Sequence, residues 1–382
     1  MKNCVTANAM SVRDEMIDAH TSYPERESDV MRGPQLAALE PKGETEMNFA
    51  ARYAFRRLGA ICPIVTVTML ALGVATAQAQ TKIVHGTVFL SSTDWAEFVA
   101  DAKGFFKEQG LEVETIATRS SAKAIQQLAG GSVQLASSGM PDHLRGTEQG
   151  APTKMFLNQI GTPPYTIYGK ASIKSVKDLK GKTVIIGGQK DITRYYVETL
   201  FKKAGLEPGS YDYVYAGATS NRFAALQSGG VDAAILLPPF TFKAKELGFT
   251  DLGNVQTVLS DFPFTVYSYN TDWAKTHRKE LVGFTAALMK GKEWLYDLKN
   301  RKEAAEILSK AAKFSMEDSL ANYDFFIKDV QAIARSGEVS ETSYKQTMDV
   351  LIGWGDMKAP IPPYSHFYDA SVLADANKLL KK

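Results

Sequence analysis

From about residue 80 onward, short apolar runs alternate with stretches whose apolar positions recur at helical spacing. Lys82 to Leu90 reads as a strand around Ile83, Val84 and Val88. Phe98, Val99, Ala102, Phe105 and Phe106 then mark one face of an amphipathic helix. Gly110 ends it, and Leu111 to Ile116 is the next strand. The cycle repeats with a helix over Lys123 to Ala129, Gly130-Gly131, a strand over Val133 to Ala136, and the turn Ser137-Ser138-Gly139. Pro141 follows at a position that suits the first turn of a helix. Later come the strand Thr183 to Ile186, Gly187-Gly188, and a helix from Ile192 to Ala204 closed by Gly205. In Ser220 to Phe249, the helical period of Phe223, Ala224, Leu226 and Gln227 stops at Gly229-Gly230. The apolar run Val231 to Leu237, broken only by Asp232, has strand length. Pro238 and Pro239 cannot continue a central ladder, so the chain leaves the sheet there. Such alternation predicts an α/β protein with parallel-rich sheets and helices on both faces.

Two stretches break the rhythm. Met155 to Tyr168 and Phe262 to Asn270 are extended, aromatic and proline-containing. They read as two strands crossing between lobes. This predicts a first lobe of residues 80–168 and 265–382 and a second lobe of residues 169–264. Beyond Trp273 the pattern is mostly helical, over Leu281 to Asp297, Glu303 to Ala312 and Met316 to Ala334. Pro360, Pro362 and Pro363 precede a last helix at Ser371 to Leu380.

The start of the chain follows a different pattern. Residues 1–46 are polar and aperiodic and read as an extension outside the fold. Met47, the arginines at 52, 56 and 57, the apolar run Leu58 to Ala77 and the exit Ala77-Gln78-Ala79 have the three regions of a secretory signal. Cleavage is expected after Ala79, translation is expected to begin at Met47, and the product is expected in the periplasm. The alternative for the apolar run is a membrane anchor, since about 20 residues span a bilayer.

Composition narrows the chemistry. Both cysteines, Cys4 and Cys62, precede residue 80, so the remainder hosts no thiol nucleophile, disulfide or zinc knuckle. The chain carries 44 basic and 42 acidic residues, of which residues 1–79 hold 8 and 9. The remainder is therefore 36 against 33, a net +3, which gives no electrostatic case for nucleic acid or anionic lipid. His20, His85, His143, His277 and His366 lack metal-ligand spacing, and no nucleophile elbow, phosphate loop or zinc-protease motif is present. No catalytic residue, metal or cofactor is expected.

In open α/β sheets ligands bind beyond the carboxyl ends of strands. That rule selects Ser91, Ser92, Thr93 and Trp95 after the first strand, Ser137 and Ser138 after the third, the segment Gly187 to Arg194, and Pro239. At the start of the Ile192 helix, free N–H groups and the positive helix end favour an anion. Gln189 and Thr193 offer polar contacts there, and Arg194 offers a planar fork for a carboxylate. Each residue also has a plainer reading. Asp191 caps its helix, Arg194 lies in solvent, and Trp95 packs in the core. Asp94 with Glu97 three residues on resembles a capping box. Arg222, in the first turn of its helix, is either a second anion contact or an interlobe ion pair. Tyr195, Tyr196 and Trp95 leave room for an aromatic ligand.

The order of motifs resembles the extracytoplasmic solute-binding proteins of ABC transporters, in the branch that binds nitrate, sulfonates, taurine and thiamine precursors. The resemblance rests on Phe105-Phe106-Lys107-Glu108-Gln109-Gly110-Leu111 with Val113, on Arg222, Ala225-Leu226, Gly229 and Val231-Asp232-Ala233, and on Tyr269-Asn270 with Trp273. It implies the two-lobed periplasmic binding protein type II fold, with mixed sheets flanked by helices and a ligand cleft at the hinge. It also implies a monomer that captures a small-molecule ligand by lobe closure and hands it to a permease and its ATPase. The ligand expected is a small organic anion, a carboxylate or sulfonate-like compound. Many sulfonate binders carry Gly-Ser where this chain has Lys190-Asp191, a departure that weighs against sulfonate. The family's pyrimidine-synthesising branch is marked by a run of cysteines, which is missing after residue 79. A sensory ligand-binding module and a hydrolase on the same fold remain as alternatives.

Overall fold

The computed structural model describes residues 80–260 and 262–381, all of which belong to the unit Val74–Lys382. The expected extension and signal segment lie outside the described residues.

Ten strands form two five-stranded sheets of matching plan. In the first, β1 (Thr81–Thr87) pairs in parallel with β2 (Leu111–Ala117) and with β3 (Leu135–Gly139). The remaining two strands are β4 (Thr153–Ile160), at the edge, and a strand that returns much later in the chain. In the second sheet, β5 (Thr166–Gly169) is antiparallel to its neighbours. Its neighbours are β8 (Ala233–Leu236) and β9 (Thr250–Asn254), the latter at one edge, while β6 (Thr183–Ile186) runs parallel to β8 and to β7 (Asp212–Tyr215) at the other edge. The returning strand, β10 (Thr265–Asn270), is antiparallel to both β3 and β4 in the first sheet. Both sheets are therefore mixed and flanked by helices. The chain passes between them twice, at residues 161–165 and 255–264.

The crossings differ from the expected ones in one respect. Met155 to Tyr168 is not a single strand. It is β4 in one sheet and β5 in the other, separated by Gly161 to Tyr165, whose Pro163 and Pro164 interrupt the ladder. The expected boundary at 168/169 consequently falls inside β5.

Each sheet carries its own apolar core. Ile167, Val184, Ile186, Tyr196, Val197 and Phe201 pack in the second. Ile83, Phe106, Phe156, Tyr267, Phe284 and Leu288 pack in the first. The long helix Arg278–Tyr296 lies against the helix Trp95–Ala102 with little space between them: a Cβ on Gly291 would stand 2.3 Å from Ala96 O. The expected helix Met316 to Ala334 is shorter. It runs over Met316–Tyr323 and continues as one π-helical stretch, Asp324–Asp329. A helix at Glu341–Gly353 was not expected from the sequence. No helix among the described residues is long and apolar enough to cross a membrane.

Candidate functional site

A cavity of about 370 Å³ lies between the two sheets, bordered by strand ends and loops of both. Its apolar wall comes from Val88, Phe89, Ile192, Leu237 and Phe264, with Tyr165 from the first crossing. Gly187 and Gly188 bring backbone to the wall. At Gly187 a Cβ would stand 2.6 Å from the Asp191 carboxylate, so the turn has no room for a side chain.

Arg222 is the central polar group. It sits in the helix Thr219–Gln227, is 2% exposed and borders the cavity. Its Nε donates to Ile235 O at 2.8 Å, Nη1 donates to Gly217 O and Nη2 donates to Thr219 Oγ1. The guanidinium lies 5.9 Å from the centre of the Tyr165 ring. Among the described residues it has no carboxylate partner. A buried cation held by neutral acceptors, the Tyr165 hydroxyl among them, is incompletely compensated.

The remaining charges on the wall sort by partner. Asp142 binds Arg145 at 2.7 Å, and Arg145 binds Asp356 at 2.9 Å. Asp356 also pairs with Lys190, and Arg145 Nη2 donates to Lys190 O at 2.8 Å. These groups join the first lobe to the second at one rim and balance one another. Burial pushes the Asp142 carboxyl up, while Arg145 pulls it back. Arg119, Arg222 and Asp191 remain, so the wall carries a net positive charge. Elsewhere between the lobes Lys243 meets Asp318 at 3.6 Å and Phe242 meets Phe325 edge-on at 6.3 Å. The lobes thus touch through two separate sets of side chains.

Of the eleven residues the sequence singled out, three border the cavity: Thr93, Ser137 and Arg222. The others lie elsewhere. Ser91 caps the turn that leads into the Trp95 helix, with Asp94 completing the capping box. This corrects the expected pairing of Asp94 with Glu97, whose carboxylate turns inward to His85 Nδ1 at 2.9 Å. Ser92 Oγ donates to Asn322 Oδ1 at 2.7 Å. Trp95 is fully buried, with Nε1 donating to Ala304 O at 2.9 Å. Ser138 turns to the other face of its strand, 3.0 Å from His143 Nε2. Pro239 caps the helix Phe240–Glu246 away from the cavity, whose wall takes Leu237 from this segment.

The helix start at Ile192 borders the cavity, but its polar groups are partnered within the chain. Asp191 Oδ1 accepts from Thr193 N at 2.9 Å, so the chain's own carboxylate occupies the place expected for an external anion. Thr193 Oγ1 is spent on Asp191 and on Gly187 N. Arg194 Nε donates to Glu198 Oε1 at 2.8 Å, with Trp354 5.9 Å from its guanidinium, and Gln189 is exposed, its carbonyl accepting from Arg194. The sequence reading missed Tyr165, Arg119, Asp142, Arg145 and Thr265. Thr265 alone left a local signal, as a hydroxyl at the start of the aromatic return strand after Pro263.

Two mixed sheets, joined by two crossings around a central cavity, define the periplasmic binding protein fold. The family model described as NMT1/THI5 like matches residues 95–303, more than half of the chain, and the chain belongs to that family. Its fold is shared by the periplasmic nitrate-binding protein of Synechocystis, at a TM-score of 0.66 and 15% identity, covering 79% of this chain and 89% of that one. It is also shared by the alkanesulfonate-binding protein of Xanthomonas axonopodis bound to MOPS, at a TM-score of 0.63 and 14% identity, covering 76% and 100%. Among curated sequences, the 4-amino-5-hydroxymethyl-2-methylpyrimidine phosphate synthase of Uromyces fabae is 26% identical over 218 residues, 52% of this chain. The match spans 62% of that relative's length.

Proposed function

We propose that this protein is the periplasmic substrate-binding component of an ABC importer and captures a small organic anion between its lobes. The observation that carries this reading is Arg222, a buried cation on the cavity wall with no acid partner among the described residues. A charge-assisted bond contributes about 1.5–3 kcal/mol. Two such bonds with some apolar burial approach the roughly −8 kcal/mol of a micromolar binder. A water's share of liquid volume is about 30 Å³, so the cavity has room for a ligand of about a dozen non-hydrogen atoms. That is more than a bare inorganic anion fills, and the apolar wall suits a carbon skeleton. Side-chain contacts between the lobes fit a population shift in which ligand favours the closed form. The export signal read in the sequence and the binding proteins that share the fold support the cellular role, with a permease and its ATPase as partners and the monomer as the working unit.

The test is thermal unfolding against a panel of organic anions and their neutral and cationic analogues. An anion at a hundred times its dissociation constant stabilises by about 2.7 kcal/mol, which moves the midpoint by several degrees. Stabilisation by neutral or cationic compounds alone contradicts the anion reading.

The similarity to a synthase favours a second reading, an enzyme on the same fold. The only cysteines are Cys4 and Cys62, which weighs against the cysteine-marked branch. Mass spectrometry of a stabilising ligand recovered after incubation separates the two: a binder returns it unchanged.

A further inference from the structure

Eight buried side-chain atoms among the described residues have no hydrogen-bond partner, and two of these belong to residues on the cavity wall: Ser137 Oγ and Thr265 Oγ1. Ser137 is 2% exposed and Thr265 is 6% exposed. The register explains why they lie together. Tyr267 of β10 stands opposite Ser137 of β3, and Thr265 stands opposite Gly139. Side chains two apart on a strand share a face, so both hydroxyls lie on the same side of the first sheet. The intervening Ser138 faces away, where His143 satisfies it. A buried hydroxyl left without a partner is costly, and an orphaned pair on the wall of a binding cavity is explained when the ligand supplies the bonds.

The charges nearby set the kind of group that belongs there. Asp142, in the first turn of the helix that follows Ser137, is held by Arg145 at 2.7 Å, and Arg145 in turn by Asp356. This end of the cavity therefore offers hydroxyls that both donate and accept, beside a charge that is already matched. The buried cation without a carboxylate partner, Arg222, comes from the other lobe. The first lobe also places Arg119 on the wall and the second places Asp191, so the contrast lies between the buried Arg222 and the two orphaned hydroxyls rather than between whole lobes. Phe89, Phe264, Ile192 and Leu237 supply apolar wall around them.

Building on the anion reading above, we propose that the ligand is an organic acid that also carries an uncharged hydrogen-bonding group, a hydroxyl or amide. Arg222 holds its acid group, and Ser137 with Thr265 holds the second group. Such a ligand ties one lobe to the other. An acid without the second group meets Arg222 but leaves the two hydroxyls unsatisfied, and sites built to bond a hydroxyl reject the analogue that lacks it.

The probes are matched pairs: benzoate and para-hydroxybenzoate, phenylacetate and para-hydroxyphenylacetate. Each is titrated against the full chain and against the variants Ser137→Ala and Thr265→Val. The hydroxylated member is expected to bind about tenfold or more tightly than its partner, the scale of one satisfied buried bond. Either variant is expected to erase most of that advantage. Without ligand, both variants are expected to unfold at the same temperature as the wild type or slightly higher, because each removes an orphaned polar atom. Equal binding within the pairs overturns the proposal and leaves the anion reading intact, as does an advantage that survives in both variants. So does a fall of several degrees in the unligated variants, since it means the hydroxyls serve the fold. Failure of all four acids to bind overturns this proposal, while the anion reading stands or falls with the wider panel of anions and their neutral analogues.

Discussion

Asp94 shows how far one side chain's surroundings govern its chemistry. Burial, reinforced by the charge of Glu97, pushes its carboxyl up to about 7. It accepts from Ser91 N at 3.3 Å and from Gln159 Nε2 at 3.1 Å, and Gln159 borders the cavity. For a carboxyl raised in the folded state, the fold binds more protons than the unfolded chain, so stability falls as pH rises through the range from about 4 to 7. His143 acts with the opposite sign over much of this range, because burial holds its ring down to about 3. Lys292, lowered by burial to about 7, acts above neutrality. The informative quantity is therefore the difference between the wild type and Asp94→Asn in denaturant unfolding. The variant is expected to gain relative stability with rising pH, by at most about 1.4 kcal/mol per pH unit. A flat difference contradicts the burial of an ionisable Asp94.

The same scale explains which site residues were legible. Arg222 was visible as a basic residue in the first turn of its helix, near Thr219 and Ser220. Ser137 and Ser138 were visible as a pair, but strand periodicity sends one to the cavity and its neighbour to His143. Arg194 misled because helix starts attract anions in general, while here Asp191 fills that place itself. Tyr165, Asp142 and Arg145 reach the cavity only through the meeting of two sheets, which no local pattern records.

At the scale of elements, the helices and parallel strands were readable because their apolar periods are strong and their glycines fall at the ends. Asp212–Tyr215 and Thr250–Asn254 went unread: they are edge strands, mostly exposed or half-buried, and lack an apolar run. The helix Glu341–Gly353 hides its period among polar residues. Packing between elements makes a sharper prediction. Gly291 lies where Arg278–Tyr296 meets Trp95–Ala102, and a methyl group there collides with backbone rather than with a movable side chain. Gly291→Ala is expected to cost about 1–3 kcal/mol through overpacking, despite the better helix propensity of alanine. Gly353, the last residue of its helix, has open space around it. There the same change is expected to be neutral or to stabilise by up to about 1 kcal/mol. Chemical denaturation of the two variants checks both, and equal effects at the two sites contradict the close helix contact.

The described residues form two sheets of one plan, joined by two crossings, with charged and aromatic contacts between the lobes. The two-lobed layout was readable from the two aromatic, proline-containing stretches, although the first of them proved to be two strands. The contacts between the lobes were not readable, because Lys190 with Asp356 and Lys243 with Asp318 are distant in sequence. The central claim is that an anion is held inside this space by Arg222, not at the helix start that the sequence favoured. The direct measurement is titration calorimetry of a stabilising organic acid against the wild type, Arg222→Met and Arg194→Met. Loss of a charge-assisted bond predicts affinity about tenfold to a hundredfold weaker in Arg222→Met, with Arg194→Met close to the wild type. Unchanged binding in Arg222→Met together with loss in Arg194→Met contradicts the account and returns the anion to the start of the Ile192 helix.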